Sequence, residues 1–213
     1  MPFDRELVFA TVADHRRLIA NTLEDLDDDR LATPSLCAGW DVETVGAHVL
    51  STVADGLPVF LASAVRRGSL ARAIDELACR RAQSTTAEIV SGLRAVADRR
   101  ISPPLFGPLD PLADVLVHYG DIAIPLGLPF EPDPHSAASA LDFLTGPWPF
   151  GFVPLGLLRG IRLRGLDIGR TWGNGAEVRG PVAALMMTVC GRTALLDDLD
   201  GPGLPLLRRR LRI

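Results

Sequence analysis

The sequence predicts a mainly helical protein: a four-helix bundle followed by a small α/β domain. Three observations carry this. Apolar residues recur at helical spacing through most of the stretch up to Gly127, prolines and glycines cluster between those segments, and beyond Leu128 the pattern changes to short alternating stretches.

Residues 4–26 place Leu7, Val8, Val12, Leu18, Ile19, Leu23 and Leu26 at the spacing of a helix, and the acidic run Asp27 to Asp29 ends the pattern. TPSLCAGW, from Thr33 to Trp40, holds a proline and a glycine and is expected as a structured loop. Asp41 then suits an N-cap, and Val42, Val45, Val49 and Val53 form the apolar stripe of a second helix reaching about Arg67, which Pro58 should kink or divide. A third helical region covers Leu70 to Arg99, with a break near Ser84 to Thr86 where Thr85 can cap the second part. Pro103, Pro104, Pro108 and Pro111 make the next connection a loop. Asp110 caps a fourth helix with Pro111 in its first position, and that helix ends near Pro125 and Gly127.

The domain boundary is expected at the composition change, with the bundle at 1–130 and the small domain at 131–213. EPDPHS reads as a linker, and GPWPFGFVPLG as a glycine, proline and aromatic stretch. IRLRGLDIG alternates as a half-buried strand, TWGNGAEVRG reads as a turn and short strand, and Pro181 opens a helix through Cys190 that Gly191 terminates.

Composition narrows the function classes. At 213 residues, 47% hydrophobic and 23% charged, the chain can bury a real core. Its longest apolar stretches fall far short of the ~20 residues of a membrane span, and MPFDRELVFATVADHRR lacks the pattern of a signal peptide, so no membrane partner and a cytoplasmic location are expected. A net charge of −4 gives no general attraction to nucleic acid. The basic tail Arg208, Arg209, Arg210 and Arg212 reads as a solvated helix end. All 22 basic residues are arginine, read here as codon bias of a GC-rich genome. Cys37, Cys79 and Cys190 are too widely spaced for a disulfide framework and are expected as buried thiols.

Four histidines divide by position. His15, in a charged helix, and His135, in the linker, read as surface residues; His48 and His118 lie inside apolar-periodic helices. Asp114 and His118 are four apart, which lets both reach one ion, the helical logic of the HExxH motif with a carboxylate in place of one histidine. The bland alternative is an exposed acid and imidazole pair. On a helical wheel at about 100° per residue, His48 and His118 each flank the core arc of their helix on the same rotational side, the arc of the fourth helix being Leu112, Val115, Leu116, Tyr119, Ile122 and Ala123. Asp121 extends the same face, either as a partner for the His118 ring or as a solvated acid.

TPSLCAGWDVETVGAHVL, with Trp40 before a helix and His48 inside it, resembles the DinB-like metal-binding helical bundles. More closely, it is similar to the actinobacterial mycothiol-dependent maleylpyruvate isomerase family, whose fourth helix PLADVLVHYGDIAIPLGLP resembles, and whose small α/β C-terminal domain the segment from Gly160 to Leu207 resembles. The resemblance implies His48, Asp114 and His118 as ligands of one divalent metal, with Asp114 where the family usually has glutamate. It also implies mycothiol as a thiol cofactor and a small electrophilic substrate, in a monomer or homodimer. Arg192 in CGRT is a candidate catalytic contact for an anionic substrate, or simply a polar residue after a helix end. Two imidazoles and a carboxylate suit zinc and leave an open position; nickel, iron and manganese stay open. The implied activity is isomerisation or S-transfer. The rival readings are a metal-dependent hydrolase, for which no glutamate stands beside either histidine, and a non-catalytic metal or small-molecule binding protein.

Overall fold

The computed structural model describes residues 4–104, 106–147, 149 and 151–213. Helix α1 spans Arg5–Glu24 and opens at Asp4, whose carboxylate accepts the Glu6 and Leu7 backbone N–H groups. Its buried face is Val8, Val12, Ile19 and Leu23, while Leu7 and Leu18, expected inside, are exposed. Buried Arg16 takes a place on that face and donates to the carbonyls of Ala97 at 3.1 Å and Arg99 at 2.8 Å. The acidic run carries a single helical turn, α2, Asp28–Leu31.

The expected second helix is two helices, α3 (Val42–Ala54) and α4 (Gly56–Arg67), bent by 117°. The break falls at Gly56, whose φ of +74° lies in the left-handed region that glycine adopts without a Cβ penalty. Pro58 thereby sits in the first turn of α4, where its missing N–H costs nothing. The third region is likewise divided, into α5 (Leu70–Arg81) and α6 (Thr86–Val96), and Thr85 closes a reciprocal capping box with Glu88. Helix α7 spans Leu109–Ala123, so Asp110 and Pro111 lie inside its first turn rather than at its cap.

The described residues divide into two compact units, one formed by residues 4–101 with His118–Phe130, the other by Ser102–Val117 with Glu131–Ile213. In the first, α3 packs against α1, α5 and α6, and α1 against α6, around Ile19, Leu23, Val42, Val45, Val49, Ile89 and Leu93. Helix α7 runs unbroken from Leu109 to Ala123. It is buried almost all round, Ala113 and Val117 included, so the narrow arc of the helical wheel understates its burial. Tyr119, placed in that arc, is half-exposed and bonds the Pro129 carbonyl at 3.4 Å.

The second unit contains a helix the composition concealed, α8, Pro134–Leu144, capped by Asp133 where a linker was expected. A three-stranded sheet follows, β1 (Ile161–Gly165), β2 (Arg170–Gly173) and β3 (Ala176–Gly180), in the order β2-β1-β3. β2 pairs antiparallel and β3 parallel with β1. Helices α9 (Val182–Val189) and α10 (Leu204–Leu211) complete it, with Gly191 in the left-handed region just after α9. Among the described residues, no single helix is long and apolar enough to cross a membrane. Trp148 and Phe150 of the aromatic stretch lie outside the described residues.

Candidate metal centre

The Asp41 carboxylate accepts the Thr44 N–H at 2.8 Å and starts α3, which fixes the turn from which His48 projects. His48 is 5% exposed and His118 6%. Their ring centroids are 4.7 Å apart, edge to face at 73°. Asp114 precedes His118 by one turn of α7, and ligand atoms of His48, Asp114 and His118 all lie within 4.8 Å of one another. A tetrahedral ion with bonds of about 2 Å holds its ligand atoms roughly 3.3 Å apart, so side-chain adjustments of about an ångström would close this donor set on an ion. The residues present therefore fit a divalent metal, and the shorter aspartate reaches the imidazoles.

Asp121 supports this group from α7. Its carboxylate is fully shielded from solvent, and the Nδ1–H of His118 donates to it at 2.9 Å. An ionised carboxylate only accepts, so against one the proton of this pair sits on Nδ1 and Nε2 is the acceptor nitrogen of the ring. The surface alternative for Asp114 and His118 does not hold: the histidine is buried and the acid half-buried.

The loop from Thr33 to Trp40 is structured as expected. Ser35 donates from its backbone N–H and its hydroxyl to the Trp40 carbonyl, and the Leu36 N–H donates to the Asp121 carbonyl at 3.2 Å. The Trp40 indole lies against the His48 ring, centroids 4.9 Å apart, and 6.2 Å from that of His118. Its Nε1–H donates to Asp75 of α5 at 2.9 Å. The sequence marked Trp40 only as the residue before a helix and gave no sign of Asp75, because a surface aspartate on a mid-chain helix looks like any other.

One turn before Asp114, Asp110 has its carboxyl pushed up to about 7, by burial first and by the Asp114 charge second. The remaining candidates lie apart in role. His15 is half-buried rather than solvated: its Nδ1–H donates to the Thr11 carbonyl, its ring meets Tyr119 edge to face, and burial lowers its pKa. His135 is exposed. Arg192 follows α9 and donates to the Cys190 carbonyl at 2.7 Å. Of the cysteines expected inside, only Cys190 is buried; Cys37 is half-exposed and Cys79 exposed.

Residues 12–103 match the family model described as the mycothiol maleylpyruvate isomerase N-terminal domain, a segment that includes Trp40, His48 and Asp75 and stops before Asp114 and His118. No curated protein matches the chain. Two solved structures share its fold: the crystal structure of the mycothiol-dependent maleylpyruvate isomerase and that of a histidine-to-alanine mutant of it. Each aligns with a TM-score of 0.60 and 14% identity over 94% of this chain and 93% of that chain.

Proposed function

We propose, on the match of residues 12–103 to the family model described as the mycothiol maleylpyruvate isomerase N-terminal domain, that the chain is a metal-dependent enzyme that uses mycothiol to isomerise, or to form a thioether with, a small electrophile. The observation that carries this reading is the convergence of His48, Asp114 and His118 within 4.8 Å, with Asp121 behind His118. We assign the three as ligands, with zinc the ion their chemistry suits best.

When bound, such an ion lowers the pKa of a coordinated thiol so that the thiolate stands near neutral pH. The chain's own residues do the rest. Asp121 holds the His118 proton at Nδ1, and Trp40 covers one flank of the imidazoles against water. Such a thiol, when bound, would supply a nucleophile able to add reversibly to an activated double bond, which serves isomerisation, or to remain on the substrate with a proton taken up at carbon, which serves S-transfer. Arg192 is our candidate for an anionic group on that substrate.

Metal analysis of the purified protein and its His48→Ala variant comes first, followed by mycothiol with a panel of cis-configured electrophiles. Stoichiometric metal lost in His48→Ala, and product formation that requires both thiol and His118, support the reading. Turnover without thiol replaces it with hydrolysis, and absence of metal removes it.

A further inference from the structure

We propose that Trp40 is a positioning residue for the metal centre: its indole, tied to α5 by Asp75, fixes the plane of the His48 imidazole. His118 bonds the Asp121 carboxylate, and the tilted indole of Trp40 lies against the His48 ring, at 4.9 Å and 41°. The χ2 torsion of histidine is broad and roughly two-fold, so helix geometry alone leaves the ring plane undetermined and neighbouring atoms must choose it.

Trp40 is itself held at both ends. Its backbone closes the Thr33 to Trp40 loop, whose Leu36 N–H bonds the Asp121 carbonyl. Its Nε1–H bonds Asp75, an exposed residue, while Trp40 as a whole is only 9% exposed. The indole therefore has an apolar face on the site and a polar edge at the surface, the arrangement in which tryptophan gives rigid, oriented packing.

The inference rests on the metal reading for its consequence, but its ground is measurable in metal-free protein. The experiment records imidazole nitrogen signals by ¹⁵N NMR without metal, then titrates Co²⁺ by visible absorption, in wild type, Trp40→Leu, Trp40→Phe and Asp75→Ala, with folding checked by circular dichroism. In Trp40→Leu the His48 ring signals should broaden and shift, and Co²⁺ affinity should fall about tenfold, the lower end of what losing a supporting contact costs a metal site. Trp40→Phe, which keeps a ring face, should recover most of the loss, and Asp75→Ala should shift His48 in the same direction by less. A folded Trp40→Leu with wild-type His48 signals and wild-type Co²⁺ affinity overturns the proposal. Should Trp40→Leu fail to fold, Asp75→Ala decides at its exposed site, and unchanged His48 signals there overturn it equally. If wild type takes up no Co²⁺, the metal reading fails, and the ring signals alone decide the positioning role.

Discussion

The Nδ1–H of His118 meets the Asp121 carboxylate at 2.9 Å, and that carboxylate has no solvent exposure. A buried acid three residues along the same helix thus sets which nitrogen of the imidazole carries the proton. The pairing is a common device of metal-binding histidines, because it fixes the tautomer and makes the ligating nitrogen more basic.

Replacing Asp121 should therefore weaken metal binding without removing any ligand. Asp121→Asn is expected to lower zinc affinity by about 10–100-fold, read by competition against a chelating dye. An unchanged affinity in a folded variant would separate Asp121 from the site.

Asp114 carries the negative charge among the three proposed ligands. Asp114→Ala should cost more affinity than Asp121→Asn in the same titration. Asp114→Glu should retain binding, since a carboxylate one methylene longer still reaches atoms that lie within 4.8 Å. Loss of binding in the glutamate variant would mean that the short side chain is itself required.

Asp110 makes the stability of the metal-free protein depend on pH. Its native carboxyl titrates near about 7, against an ordinary value of 3.8, so between those values the native state holds a proton that the unfolded chain has released. Its contribution to stability falls as pH rises from about 4 to about 7 and is level above that. Asp110→Asn should flatten that slope and raise the thermal midpoint at pH 7.5 and above, measured by calorimetry across pH. A wild-type slope retained in Asp110→Asn would contradict this.

Arg16 ties the end of α6 to α1. One of its guanidinium nitrogens serves the carbonyls of Val96, Ala97 and Arg99 at 3.5, 3.1 and 2.8 Å, where the last turn of a helix leaves acceptors unmatched. Arg16→Met fills similar volume without donors and should destabilise the fold by about 2–4 kcal/mol in urea unfolding. A loss below about 1 kcal/mol would show that water replaces the arginine, since one net hydrogen bond is worth that much.

The sequence made the helical frame legible because its caps are local. Asp41 and Thr85 sit immediately before apolar-periodic runs and bond the N–H groups their positions imply. His48, Asp114 and His118 stood out through helical position and a four-residue spacing, which is short-range information as well. What escaped depended on long-range packing. Nothing near Arg16 in the sequence signals its partners, which lie at the end of α6, and Asp75 acquires a role only because a loop thirty-five residues earlier in sequence puts Trp40 beside it. Helix α8 was hidden because small residues such as Ala137, Ala138 and Ala140 give little apolar contrast, although all three are buried.

The central claim is that one ion joins α3 to α7, and a crystal structure of zinc-loaded protein with anomalous data across the zinc edge tests it most directly. The expected result is a single strong peak about 2.0–2.2 Å from a ring nitrogen of His48, a ring nitrogen of His118 and a carboxylate oxygen of Asp114. Fully loaded crystals with no anomalous peak at these three side chains, or with the zinc held by other residues, would contradict it.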